Sequence, residues 1–265
     1  TIVFGDVNST LAGTLAAKMN GSKIFHVESG LRSQDRRMPE ETNRMIVDHL
    51  SDVLFTSEPA GIKNLMKEGI AKEKIRPVGN IMIENIEIFW PKIKNRKILE
   101  NLGVKPKTYV VATIHRQENT DYSESLQKVL VILSQINRRL KIVFPIHPAT
   151  AKKIKKMGFD KLLRGLVVTE PLGYFDFMKL VVESRGVITD SGGIQEETSH
   201  LGIPCVTLRD NTERPITVEL GSNRLFPIKK NSVQEIYSHL IRKDFKSRHI
   251  PYWDNQVSKR IFKHL

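Results

Sequence analysis

Short apolar, β-branched runs alternate with longer segments of helical period along almost the whole chain. In the first third, residues 2–4, 24–28, 52–56 and 75–80 read as strands or strand-and-turn units. Residues 10–19 and the segment carrying Ile62, Leu65 and Met66 read as helices, the latter ended by Gly69. Pro39 suits the first position of another helix. From residue 81 to 107 the pattern shifts, and Trp90-Pro91 followed by the basic run 92–97 predicts a connector. A second alternating set follows, with strands at 108–113, 141–146, 166–168, 186–189 and 204–208, the last taken as the final strand. Leu126, Val129, Leu130, Leu133, Ile136 and Leu140 mark an amphipathic helix, residues 175–182 a further one, and the tail 252–265 a terminal one.

Such alternation predicts an α/β fold made of two Rossmann-like, doubly wound parallel-sheet domains. The expected division is 1–86, 87–250 and a terminal helix over 251–265 that returns to the first domain. A chain of 265 residues with 40% hydrophobic content is long enough for two modest cores. No apolar run reaches the length that crosses a bilayer, and no signal peptide opens the chain, so no membrane partner is expected. The one cysteine, Cys205, lies in an expected strand, excludes an internal disulfide and fits a reducing, cytoplasmic setting. The chain opens at Thr1 directly in an apolar strand, which predicts a piece of a longer protein.

A formal charge of +13 admits nucleic acid, an acidic surface or small anionic substrates. The basic clusters at 152–156 and 229–230 lack aromatic interleaving and read as solvated faces, so nucleic acid is not expected as a partner.

The candidate chemistry sits at strand ends, where open α/β sheets place ligands. Asp6 follows the first strand; it either serves a ligand or caps the next helix. Glu28 ends the second strand, with Arg32 near enough for an ion pair. Glu40 opens a helix and is spaced to pair with Arg44. In the second half, His115-Arg116 follows a strand and suits a diphosphate. His147 reads as a structural hydrogen-bonder, and no histidine pair has metal-ligand spacing, so no metal is expected. The stretch Thr189-Asp190-Ser191-Gly192-Gly193 reads as a strand-to-helix turn. Its glycines allow positive φ and close approach, and the helix start favours a diphosphate. Glu196 or Glu197, read as first-turn residues, would take a ribose.

Six stretches carry a resemblance: Gly5-Asp6-Val7-Asn8-Ser9-Thr10, His26-Val27-Glu28-Ser29-Gly30-Leu31-Arg32, Pro39-Glu40-Glu41-Thr42-Asn43-Arg44, His115-Arg116-Gln117-Glu118-Asn119, residues 190–197, and Thr212-Glu213-Arg214-Pro215. In this order they resemble the non-hydrolysing UDP-N-acetylglucosamine 2-epimerases. The resemblance implies a GT-B-like fold with an incomplete first domain, since the family begins about half a domain earlier. It implies C2 epimerisation of UDP-N-acetylglucosamine by elimination and re-addition of UDP, for cell-surface polysaccharide precursors. It implies Asp6, Glu28, Glu40 and His115 as catalytic candidates. Arg44, Arg116, Ser191, Gly192, Gly193, Glu197 and Arg214 are implied for the UDP-N-acetylhexosamine substrate. No cofactor is implied, and a homodimer is. Ile216 and Ala149 depart from the family's usual glutamate and asparagine. Two other readings share the nucleotide turn: a GT-B glycosyltransferase, and a non-catalytic UDP-sugar-binding fragment.

Overall fold

In the computed structural model, which describes residues 1–228, 233–242 and 249–265, strands and helices alternate from the start. The chain runs β1 (Ile2–Phe4), α1 (Asn8–Met19), β2 (Phe25–Val27), α2 (Pro39–Leu50), β3 (Val53–Thr56), α3 (Pro59–Lys67), β4 (Ile75–Pro77) and α4 (Ile81–Lys94). Next come α5 (Ile98–Asn101), β5 (Tyr109–Thr113), α6 (Gln117–Thr120), α7 (Ser123–Asn137), β6 (Lys141–Pro145), α8 (Pro148–Lys156), β7 (Val167–Thr169), α9 (Tyr174–Glu183) and β8 (Gly186–Thr189). The rest is α10 (Gly192–Leu201), β9 (Cys205–Thr207), α11 (Ile216–Glu219), β10 (Asn223–Leu225), α12 (Val233–Leu240) and α13 (Val257–Phe262). The fold class is α/β with two parallel sheets. Two units form: Thr1–Ile88 with Thr212–Glu219 and His249–Leu265, and Phe89–Asn211 with Leu220–Arg248. The segment Thr212–Glu219, which the sequence pattern places in the second half, clusters with the first unit.

The first unit holds a parallel sheet in the order β1-β2-β3-β4. Phe25, Val27, Phe55 and Val78 pack with Val257 and Ile261 of α13. The chain end is tied in by polar bonds as well. Trp253 Nε1 donates to the Ser57 carbonyl at 3.0 Å, and Ser258 N to Glu84 Oε2 at 2.6 Å. Tyr252 crosses Gly79 so closely that a Cβ there would lie 1.9 Å from the Tyr252 carbonyl oxygen. The expected terminal helix shortens to α13 because the Asp254 side chain bonds the Gln256 N–H at 2.9 Å, setting a turn.

The second unit has the order β7-β6-β5-β8-β9-β10, all parallel. In chain sequence this is the 3-2-1-4-5-6 order of a dinucleotide-binding fold. Alternate residues of β5 face opposite sides. Val110 and Ala112 join Leu126, Val129, Leu130, Leu133 and Ile136 of α7 in one core; Tyr109 and Val111 join Leu180, Val181 and Ile194 in the other. Both faces of the sheet are thereby covered by helices.

Two further expectations change. The connector is a helix, α4, that continues through Pro91, with Ile83, Ile86 and Ile93 fully buried at helical spacing. The last strand is β10 rather than β9; its three residues, Asn-Arg-Leu, carry too little periodic signal to read alone. On α8, Ile154 is buried while Lys152, Lys155 and Lys156 are exposed, as a solvated face requires. Lys229 and Lys230 lie outside the described residues. Cys205 is buried, which pushes its thiol up to about 11. No described helix is long and apolar enough to cross a membrane.

Candidate active site

In the first unit the polar residues gather on the loops that leave β1 and β2. Asp6 does not cap α1: the cap position is Val7, with no side-chain bond, and Asn8 Oδ1 accepts instead from Asn43 Nδ2 at 3.0 Å. Asp6 Oδ2 receives Arg44 Nε at 2.8 Å and lies 2.6 Å from Arg44 Nη2. Arg44 therefore turns away from the expected partner, Glu40, and toward Asp6 and Glu41, whose Oε2 is 2.9 Å from Nη1. Glu41 is a structural anchor, since it also accepts the backbone N–H groups of Ser33 and Gln34. Glu40, its neighbour, is half-buried near the start of α2.

Glu28 stands just past β2, outside the strand, with φ at 68°. A glutamate in the left-handed region costs about 1–2 kcal/mol, and such strain gathers at functional positions. Arg32, the expected partner, pairs instead with Glu68 and Asp48, both at 2.7 Å. Glu28 Oε1 lies 3.4 Å from Arg214 Nη2. Glu213 completes the arrangement: its Oε1 is 3.4 Å from Arg214 Nη1 and 3.7 Å from Arg44 Nη2. A row of alternating charge results, Asp6–Arg44–Glu213–Arg214–Glu28. Its middle three members are buried, and the two carboxylates at its ends are partly exposed.

In the second unit the strand order reverses between β5 and β8. The switch point of a doubly wound sheet is where its ligand site forms. Asp190, directly after β8, accepts the backbone N–H groups of His115 and Arg116 at 3.1 and 3.0 Å, and Asn119 Nδ2 at 3.0 Å. His115 Nδ1 is 3.2 Å from Asp190 Oδ1. Burial raises the Asp190 carboxyl, but these partners outweigh it and hold it below the ordinary carboxylate range. Thr189 Oγ1 takes the Ser191 N–H at 2.9 Å and shapes the turn.

Ser191 is the cap position of α10. Gly192 and Gly193 are its first two residues and neither has positive φ; the left-handed glycine of this helix is Gly202, at its other end. The first-turn reading of the glutamates is likewise corrected, since no acidic residue occupies the first turn. What Gly193 provides is room: an added Cβ meets nothing within 4 Å. The uncapped N–H groups and the helix dipole there favour an anion. One turn on, Glu197 is 4% exposed and 3.4 Å from the Tyr174 hydroxyl. Burial and the neighbouring Glu196 push Glu197 up to about 7. His147 caps α8, accepting the Ala149 N–H at 3.2 Å.

Of the expected residues, Asp6 meets Arg44 and Glu28 meets Arg214 in the first unit. His115, Arg116, Ser191, Gly192 and Gly193 surround one turn in the second. Besides the anchor Glu41, three residues with clear structural parts were not among the candidates. Glu213 could have been suspected as a carboxylate between Thr212 and Arg214, and Asp190 as the strand-end residue before Ser191. Tyr174, at the start of α9, carries no signal in the sequence.

Residues 1–265 match the family model described as UDP-N-acetylglucosamine 2-epimerase. A UDP-N-acetylglucosamine 2-epimerase of Methanococcus maripaludis is 42% identical over 262 residues, covering 96% of this chain and 70% of the relative. A UDP-2,3-diacetamido-2,3-dideoxy-D-glucuronate 2-epimerase of Pseudomonas aeruginosa is 36% identical, covering all of this chain and 73% of the relative. The crystal structure of Methanocaldococcus jannaschii UDP-GlcNAc 2-epimerase in complex with UDP-GlcNAc and UDP superposes with a TM-score of 0.90 at 36% identity, covering 99% of this chain and 74% of that one. By sequence over its whole length and by fold, the chain belongs to the UDP-N-acetylglucosamine 2-epimerase family.

Proposed function

We propose that the chain carries out epimerisation at C2 of a UDP-linked 2-acetamido sugar, UDP-N-acetylglucosamine to UDP-N-acetylmannosamine, without net hydrolysis. The observation that carries the reading is the charge row of the first unit. It ends in two partly exposed carboxylates, Asp6 and Glu28, each against a guanidinium. Inverting C2 needs a base on one face of the sugar and an acid on the other. In the first half-reaction a carboxylate takes the C2 proton, a C1–C2 double bond forms, and the C1–O bond breaks with its electron pair leaving on UDP. In the second, UDP oxygen re-forms the bond to C1 while a proton is delivered to the opposite face of C2. Asp6, Glu28 and Glu40 are the acid/base candidates.

The second unit is assigned the nucleotide. The helix start at Ser191, Gly192 and Gly193 suits the diphosphate, with His115 and Arg116 beside it. Glu197 is assigned the ribose hydroxyls. Arg44 and Arg214 are assigned the charge that develops on the leaving diphosphate, where preorganised cations act most strongly. Two relatives, at 42% and 38% identity, are named for the N-acetylglucosamine substrate, which favours that sugar. The reading includes a cytoplasmic homodimer supplying a polysaccharide precursor, and light scattering tests the assembly.

Proton NMR of the protein with UDP-N-acetylglucosamine in deuterated water tests the reaction. UDP-N-acetylmannosamine carrying deuterium at C2 is expected. Accumulation of free UDP with free sugar would replace epimerisation by hydrolysis, and absence of both would refute the reading for this substrate.

A further inference from the structure

His26, the middle residue of β2, is fully buried and lies outside the charge row. Its Nε2 donates to the Gly5 carbonyl oxygen at 2.9 Å, and its Nδ1 is 2.7 Å from Asp48 Oδ1 on α2. The other carboxylate oxygen of Asp48 takes the Gly30 N–H at 3.1 Å and pairs with Arg32 at 2.7 Å. Burial raises the Asp48 carboxyl, but His26 and Arg32 outweigh it and hold it below the ordinary range. An ionised carboxylate and a peptide carbonyl can only accept, so His26 joins two acceptors.

The positions of those acceptors matter. Gly5 immediately precedes Asp6, and Gly30 is two residues beyond Glu28. Gly5, Glu28 and Gly30 all have positive φ, at 66°, 68° and 79°. Gly30 is also fixed from behind: its carbonyl accepts Asn64 Nδ2 at 2.9 Å, and a Cβ there would lie 2.4 Å from the Gly61 carbonyl oxygen. A buried charged network is commonly no more stabilising than apolar residues of the same size, and its best-supported use is to specify geometry.

We infer that His26 and Asp48 are positioning residues that tie the Asp6 loop to the Glu28 loop and so set the relative placement of the two carboxylates. The inference rests on the reading of Asp6 and Glu28 as the acid/base pair. Misplacing a reacting group by an ångström costs about 100-fold in rate.

The test compares wild type with H26Q, D48N and the H26Q/D48N double variant. In H26Q the amide donates to Gly5 but turns its oxygen toward Asp48, setting acceptor against acceptor. In the double variant the amide nitrogen introduced at position 48 donates to that oxygen, while the amide oxygen there still accepts from Gly30 and Arg32, whose charge Glu68 continues to meet. We expect kcat to fall about 100-fold in each single variant with KM within about threefold, and the double variant to return within about tenfold of wild type. Hydrogen exchange should quicken at residues 5–8 and 28–31 in the single variants and not in α7. A single variant with wild-type kcat and wild-type exchange in both loops overturns the inference, as does exchange that rises throughout the unit. A wild type that never exchanges the C2 proton defeats the proposed function instead. Loop exchange then still decides whether His26 and Asp48 hold the two loops.

Discussion

Binding of UDP-N-acetylglucosamine should weaken about tenfold between pH 8 and pH 6, and Glu197 is the reason. Burial, with Glu196 beside it, sets this carboxyl at about 7. In the proposed reading the ribose hydroxyls donate to the ionised form, so only that form binds well. About nine-tenths of the molecules are ionised at pH 8 and about one-tenth at pH 6, a ratio of roughly 10, or about 1.4 kcal/mol. Binding at pH 7 should accordingly release about half a proton. Titration calorimetry in two buffers of different ionisation enthalpy reads both quantities. The sugar nucleotide is the better probe, because a diphosphate diester has no proton to lose in this range, whereas a terminal phosphate titrates near 6. Glu197→Gln should bind more weakly and without this pH dependence. A wild-type affinity that is flat from pH 6 to 8, or a Gln variant that keeps the slope, would refute the assignment.

The same shift has a consequence for stability. The folded value, about 7, lies above the unfolded value of about 4.3. The fold therefore favours the protonated form: the contribution is complete below the unfolded value and is lost as pH rises through 7. Above that pH the ionised, buried carboxylate costs at most about 4 kcal/mol, and Glu197→Gln should raise the urea midpoint there and not at pH 4.

Glu28→Gln should lower kcat by about 10²–10⁴ while sugar-nucleotide affinity stays within a few-fold; near-normal turnover would remove Glu28 from the chemistry. Asp190→Asn would either set an –NH2 group against the His115 N–H or give up the oxygen that receives Arg116 and Asn119, costing about 1–3 kcal/mol and weakening UDP binding. An unchanged urea midpoint would count against that accounting. Gly79→Ala, at φ 94° and with the Tyr252 carbonyl in the way, should release the chain end, seen as faster hydrogen exchange over residues 249–265; unchanged exchange there would contradict the close packing.

Much of the fold was legible because its driving pattern is local. Val110, Val111 and Ala112 are buried from both faces, and a run buried from both faces reads as a central parallel strand. The helical spacing of Leu126, Val129, Leu130, Leu133 and Ile136 is the pattern of a helix lying on that sheet. The failures occur where tertiary packing overrides a local signal. Pro91 suggests a break, but the burial of Ile83, Ile86 and Ile93 holds α4 through it. Strand β10 exists because β9 offers a free edge, and three residues of sequence cannot announce that.

The candidate site divides along the same line. Strand ends fall where the alternation says, so Asp6, His115 and Ser191 could be placed just beyond them from position alone. Ion-pair partners were not, because proximity along the chain is a poor guide among many charges. Arg32 bypasses Glu28 for Glu68, and Arg44 bypasses Glu40 for Asp6 and Glu213. The energetics explain why the distant partners win. A surface pair four residues apart on a helix contributes only about a few tenths of a kcal/mol, whereas a guanidinium that is 2% exposed, like Arg44, must have its carboxylates in place or carry a penalty of several kcal/mol. Burial is decided by the whole fold, so the pairing follows the fold. The same reasoning makes the pairing informative about chemistry. Glu41 and Glu213 share in neutralising the buried guanidiniums, and in the proposed reading the more exposed Asp6 and Glu28 are the carboxylates assigned proton exchange with a bound sugar.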